Sequence, residues 1–249
     1  MDQLEGIFPV RVTIENVKFH TIKWPRNLDT IMFRFPARAK DGANEISDTN
    51  LAAHIVTSLN TNGWCIVFAY SSIENKLRPF EFAEVLKMAG LTLVDIAVFY
   101  KPWWGGRKSD SHLAGSHEYV FLFTNAKTWY LDRAYLHDVI QGEKYTGVSC
   151  PGNSWELKKF NPAELYPLDL ASAILKMISL LPGSVILDPL MGGATGLEAA
   201  VYSGYSFIGY EADAKKYKSY EKVMKKLSQH IKERDTDHLR GMDYETKPG

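Results

Sequence analysis

Apolar residues along this chain fall into short unbroken runs and into one-sided helical patterns, and the two kinds alternate. Runs of the first kind are Asp29–Phe35 (DTIMFRF), Gly63–Tyr70 (GWCIVFAY), Leu91–Lys101 (LTLVDIAVFYK), His117–Asn125 (HEYVFLFTN), Ser184–Pro189 (SVILDP) and Ser206–Asp213 (SFIGYEAD). Each is bounded by polar, glycine or proline residues and has the length of a buried strand. Pro79–Gly90 (PFEFAEVLKMAG) instead places Phe82, Val85, Leu86 and Ala89 on one face of a helix that Gly90 ends. Pro167–Gly183, Thr195–Gly204 and Lys215–Arg234 read as three more helices. In the last, Tyr217, Tyr220, Val223, Met224 and Leu227 recur at helical spacing and are expected to pack on a sheet, with the lysines in solvent.

Strands separated by helices predict an α/β fold, a mostly parallel sheet with helices on both faces. The chain has 249 residues, 45% of them hydrophobic, enough for a large core, and residues 1–249 are read as a single domain. Residues 1–50, 103–110 and 127–160 show no clear period, and 235–249 reads as a polar, frayed tail.

Composition narrows the function classes. The formal net charge is +0, so a nucleic-acid surface must be local rather than global. The first residues, MDQLEGIFPV, lack the basic and apolar regions of a secretory leader, and no apolar run is long enough to span a bilayer. An intracellular location, cytoplasmic or nucleoid-associated, is expected, with no membrane partner. The two cysteines, Cys65 and Cys150, are far apart and read as reduced thiols, and no metal site is expected.

The most informative stretch is Val185–Ala200, VILDPLMGGATGLEAA, in which a strand ends in Asp-Pro and a glycine-rich turn opens a helix. Glycines at such a turn let the backbone approach a ligand, and the helix begins with free N–H groups. The next strand ends in Glu211, a carboxylate placed to accept hydrogen bonds from both hydroxyls of a ribose. The turn is not a phosphate cradle: it has neither GxGxxG nor the Lys-Ser/Thr of a P-loop. A nicotinamide oxidoreductase would carry its glycine turn near the N-terminus and in GxGxxG form, and neither feature is present.

These residues resemble the S-adenosylmethionine-dependent DNA amino-methyltransferases, which act on adenine N6 or cytosine N4. Their pattern is roughly L-D-P-F-x-G-S-G-T-T-x-x-A-A followed by F-I-G-x-E. Asp188, Pro189, Gly192, Thr195, Ala199, Ala200, Phe207, Ile208, Gly209 and Glu211 match it. Leu190 stands for Phe, Gly193-Ala194 for Ser-Gly, and Gly196 for the second Thr. NPAELYPLDLASAIL is similar to the family's H-P-T-x-K-P-x-x-L, with Pro162 and Pro167 matching and no lysine before the second proline. FYKPWW with GSHEYVFLFTNAK is similar to W-x-K…H-E-x-I-x-x-F-x-K, and LNTNGWCIVF to L-x-x-G-G-x-I-x-V. The cofactor turn comes after the chemistry half, the permuted order called beta.

The resemblance implies a Rossmann-like methyltransferase fold. It implies S-adenosylmethionine held by Asp188, Leu190, Met191, Gly192, Gly193, Thr195 and Glu211 with Pro167 beside them, and a methyl at Ala194 that crowds the cofactor. It also implies DNA as a partner. The family's catalytic Asp/Ser/Asn-Pro-Pro-aromatic tetrapeptide occurs nowhere in the chain. That tetrapeptide accepts the amine's hydrogens and stacks on a flipped base. In its place stands the remnant Arg34-Phe35-Pro36-Ala37, a donor where an acceptor is needed and an alanine that cannot stack.

Two readings follow: a methyltransferase with an unusual loop, or a catalytically inactive relative that binds nucleic acid or serves as a regulatory partner subunit. Candidate phosphate contacts are Arg34, Arg38 and Lys40, with Lys101, Arg107 and Lys108 around the stacking aromatics Trp103 and Trp104. Only residues 127–160 are available as a short target-recognition segment. A reader this compact is expected to need a protein partner or a second copy, or to have weak sequence preference.

Overall fold

The computed structural model describes residues 9–35, 47–71, 75–100, 117–137, 139–141, 153–157 and 166–242, the last nine of these in backbone only. Nine strands among the described residues form one sheet: β1 (Val12–Asn16), β2 (Leu28–Phe35), β3 (Leu59–Ala69), β4 (Thr92–Tyr100), β5 (His117–Thr124), β6 (Ile140–Gln141), β7 (Ser154–Leu157), β8 (Val185–Asp188) and β9 (Ser206–Glu211). Their order across the sheet is β1-β9-β8-β2-β3-β5-β4-β7-β6. From β1 to β3 every pairing is parallel, and β5 then inserts antiparallel between β3 and β4. The helices are α1 (Asp48–Ser58), α2 (Arg78–Met88), α3 (Leu168–Met177), α4 (Thr195–Tyr202) and α5 (Ala214–Met242).

The expected strands and helices are all present, with local differences. Helix α3 stops at Met177 rather than near Gly183, because Ser179 takes a left-handed backbone (φ 53°) and its N–H turns back to Lys176 O at 3.0 Å. Helix α5 runs to Met242, so the backbone of 235–242 is helical where a frayed tail is expected from composition. The irregular N-terminal stretch contains β1 and the start of α1, the latter capped by the Ser47 hydroxyl accepting from Asn50 N–H. Among the described residues of 127–160 there are a 3-10 turn at Arg133–Leu136 and the short strands β6 and β7.

Both faces of the sheet are covered. On one, Met32, Ile66, Phe68, Phe99 and Val120 pack beneath α3, α4 and α5; on the other, Ile31, Phe33, Val67 and Phe121 pack beneath α1 and α2. Parallel strands buried on both faces require near-continuous apolar runs, and β2 and β3 have them. Cys65 carries a free thiol wholly inside the second face.

The order in which strands are added across the sheet reverses between β8 and β2, which pair in parallel at Thr30↔Ile186 and Ile31↔Leu187. From β8 the chain crosses over α4 to β9; from β2 it crosses over α1, on the opposite face, to β3. A crevice outside the carboxyl ends of two such strands is the usual ligand position in this architecture. Asp29 holds the other end of the pair: its carboxylate accepts from Val185 N–H and from Asn60 Nδ2, both at 2.9 Å.

Candidate cofactor site

Strand β8 ends in Asp188 and β9 ends in Glu211 beside it, at the switch point where this architecture places its ligands. Both carboxylates are buried. The turn between β8 and α4 is held by the backbone. Leu190 N–H donates to Asp188 Oδ1 at 2.9 Å, Met191 N–H to Tyr210 O at 3.2 Å, and Ala194 N–H to Met191 O at 3.0 Å. Gly192 and Ala194 both have left-handed backbones, φ 55° and 61°. Gly192 tolerates this freely, whereas Ala194 carries a Cβ there, where the resembling family has glycine. The Ala194 side chain is buried at the start of α4.

Met191 turns inward, into the core. Its thioether lies on Gly209, so close that a Cβ at 209 would stand 2.2 Å from Met191 Sδ. Leu190 is half-buried against the opposite face, Gly193 is exposed, and Thr195 is buried. Pro167, also buried, caps α3 with its carbonyl accepting from Ala171 N–H at 3.0 Å. It reaches the site through its neighbour Tyr166.

Tyr166 is fully buried and stacks on Phe68, ring centroids 4.2 Å apart and 7° from parallel. Its hydroxyl faces the Asp188 carboxylate without a well-aligned hydrogen bond to any group among the described residues. A Cβ at Gly196 would stand 2.7 Å from that hydroxyl and 2.9 Å from Asp188 Oδ2. Tyr166 therefore fills the space that a threonine at 196, the resembling family's residue, would need.

Burial pushes the Asp188 carboxyl up to about 7; the Leu190 N–H opposes the shift, the Glu211 charge adds to it, and Tyr166 opposes it. Burial also raises the Tyr166 hydroxyl well above the ordinary phenol value, with the Asp188 charge second.

Glu211 is satisfied from three sides. Gly192 N–H donates to Oε2 at 3.0 Å, the Tyr220 hydroxyl donates to the same oxygen at 2.8 Å, and Asp213 N–H donates to Oε1 at 2.9 Å. The Tyr220 hydroxyl also lies 2.8 Å from Gly192 O. Burial, then the bond to Glu211, raises its pKa.

Of the remnant tetrapeptide, Arg34 and Phe35 are described, and they face opposite sides of the sheet. Arg34 Nη2 pairs with Glu118 Oε1 at 2.6 Å, and its guanidinium lies 4.5 Å from the centre of the Tyr70 ring. Phe35 is buried on the other face, stacked on Phe82 at 4.0 Å with Arg78 over its ring at 4.6 Å. Pro36, Ala37, Arg38, Lys40, Lys101, Trp103, Trp104, Arg107 and Lys108 lie outside the described residues, as does most of 138–160.

The structure thus brings Asp188, Gly192, Thr195 and Glu211 together at one strand edge and adds three residues that sequence reading missed as site members. Tyr220 reads from periodicity only as a packing residue, and its contact with Glu211 comes from tertiary packing. Tyr166 has one signal, its place before the proline where the resembling family has lysine. Glu118 falls in the H-E pair of the matched strand motif, but its partner Arg34 is seen only once β5 is placed antiparallel beside β3.

Among the described residues no helix is long and apolar enough to cross a membrane. The type II methyltransferase M.MthZI of Methanothermobacter thermautotrophicus is 30% identical over 122 residues, covering 42% of this chain and 33% of that protein. The matched stretch is thus about a third of this curated relative's length. Solved structures share the fold. M1.HpyAVI in complex with SAM matches with a TM-score of 0.60 at 19% identity, covering 85% of this chain and 99% of that one. The cytosine-N4-specific PvuII DNA methyltransferase matches with a TM-score of 0.61 at 12% identity, covering 82% of each chain. The DNA methylase family model of the N6/N4 type matches residues 50–222, and this chain belongs to that family.

Proposed function

We propose that this chain binds S-adenosylmethionine at the Asp188–Thr195 turn and works in methylation of adenine N6 or cytosine N4 in DNA. The observation that carries this reading is the pair of buried carboxylates at the ends of adjacent parallel strands, Asp188 and Glu211, with the Gly192 N–H between the turn and Glu211. The donor set fits the cofactor: Glu211 offers acceptors to ribose hydroxyls, and a nearby cation would favour the ionised form of Asp188 over the neutral form that burial promotes. Bound there, the cofactor supplies an electrophilic methyl group. Membership of the DNA methylase family and the likeness to a SAM-bound structure support the assignment.

A second reading concerns catalysis. The amine of a target base needs acceptors at the end of β2, and the residue there is Arg34, whose guanidinium already pairs with Glu118. Together with the missing tetrapeptide, this favours a chain that binds cofactor and DNA but leaves methyl transfer to a partner carrying an intact loop. Arg38 and Lys40, with Lys101, Trp103, Trp104, Arg107 and Lys108, remain the proposed nucleic-acid contacts.

The test is calorimetric titration of the purified chain with S-adenosylmethionine and S-adenosylhomocysteine, alongside transfer of labelled methyl to DNA. Micromolar binding lost in Glu211→Ala supports the cofactor site. Absence of transfer by the chain alone supports the second reading, and transfer removes it. No binding at millimolar ligand removes the cofactor assignment.

A further inference from the structure

We infer that the Tyr220 hydroxyl is a built-in occupant of the ribose position on Glu211, which an adenosine-bearing ligand must displace to bind. The inference rests on reading Glu211 as the ribose acceptor. A carboxylate offers about four acceptor positions. Three donors already use them here: Gly192 N–H and Tyr220 O–H on Oε2, and Asp213 N–H on Oε1. A ribose diol brings two more donors, so one of the three present must leave for both ribose hydroxyls to be held.

The two backbone donors are fixed by the fold. Gly192 N–H belongs to a turn tied down by Met191 N–H on Tyr210 O, and Asp213 N–H belongs to the link from β9 into α5, which Tyr217 N–H on Asp213 O begins. Only the Tyr220 hydroxyl is carried on a side chain. Its single proton is placed between two acceptors, Glu211 Oε2 and Gly192 O, each at 2.8 Å. On giving up Glu211 the hydroxyl keeps Gly192 O, so its proton is never left without an acceptor. The competition is therefore mild: one charge-assisted hydrogen bond is exchanged for another, an effect of about tenfold in affinity. A turn of the Tyr220 O–H toward Gly192 O is enough to take its proton off Glu211.

The chemistry also fixes which ligands feel the cap. It acts on hydroxyl donors alone, so it lowers the advantage that a ribose has over a deoxyribose.

The experiment measures binding of S-adenosylhomocysteine, adenosine and 2′-deoxyadenosine to the wild-type chain, Tyr220→Phe and Glu211→Ala. Expected are about tenfold tighter binding of S-adenosylhomocysteine by Tyr220→Phe and a larger adenosine-to-2′-deoxyadenosine affinity ratio in that variant. A purely structural role for Tyr220 would leave that ratio unchanged. Each variant is titrated below its own melting transition, and Tyr220→Leu must shift the ratio in the same direction. Unchanged or weaker binding by Tyr220→Phe, with wild-type binding still lost in Glu211→Ala, overturns the cap and leaves the ribose reading standing. No binding by either wild type or Tyr220→Phe overturns both.

Discussion

Arg34 near the end of β2 and Glu118 at the start of β5 meet across β3, Nη2 to Oε1 at 2.6 Å, with the Glu118 side chain wholly out of solvent. A buried pair of this kind is weak evidence of net stabilisation but is costly to break from one side. Glu118→Ala is therefore expected to destabilise the fold by about 3 to 5 kcal/mol, because it leaves a guanidinium that is only 15% exposed without its counter-charge. The double variant Arg34→Met with Glu118→Leu is expected to recover most of the loss. Urea denaturation of the singles and the double decides this, and a Glu118→Ala cost below about 1 kcal/mol would count against a desolvated pair.

Asp188 makes the stability depend on pH with a definite sign. Its folded value of about 7 lies above its ordinary value of 3.8, so between those two the folded chain holds a proton that the unfolded chain has released. Its favourable share is complete below the ordinary value and lost as pH rises to about 7, at most about 4 kcal/mol over the window. Asp188→Asn keeps an acceptor for Leu190 N–H and removes the titration. Between pH 4.5 and 8, melting curves of the wild type are expected to fall relative to those of Asp188→Asn, and parallel curves would contradict the shift.

Gly209 is required by its neighbour rather than by its own backbone. A methyl at 209 would meet Met191 Sδ at 2.2 Å and Phe207 at 2.6 Å. Gly209→Ala is expected to cost about 1 to 3 kcal/mol through overpacking. It should also disturb the turn that positions the Gly192 N–H. Pairing it with Met191→Ala should return part of the loss, and strict additivity in a double-mutant cycle would show that the two side chains do not meet.

Ala194 presents the opposite case. Its left-handed backbone, φ 61°, costs a residue with a Cβ on the order of 1 kcal/mol. Ala194→Gly is therefore expected to raise stability by about 0.5 kcal/mol after the unfolded chain's gain in freedom is subtracted. A loss of stability in chemical denaturation would mean that packing of the buried methyl outweighs the strain.

The β8–α4–β9 unit was legible because each of its signals is local: apolar runs, an Asp-Pro end, a glycine turn and a strand-end glutamate. β1 was not legible, since VTIEN is a short edge strand exposed at alternate positions and its pairing with β9 comes from the far end of the chain. α1 was hidden by residues of indifferent helix preference, Thr, Asn, His and Val, and forms through its Ser47 cap and the packing of Leu51, Ala52 and Ile55. At the site, Asp188 and Glu211 could be read from their positions, but the tyrosines that face them could not. Tyr166 arrives from the bend just before α3 and Tyr220 from α5, and no spacing in one segment encodes a contact made by tertiary packing.

The placement of β1 has a consequence for synthesis. Arg11 N–H and the Asn16 side chain make their hydrogen bonds to residues 195 positions later. At about 5 to 20 residues per second, a ribosome delivers those partners roughly ten to forty seconds after the first strand emerges. β2, almost wholly buried in the finished sheet, must likewise wait for β8 on one flank. The nascent chain therefore carries an unpaired apolar strand edge for much of its elongation. Shelter by a chaperone, or a slow approach to the native state on refolding from denaturant, is the cost of placing the cofactor half last.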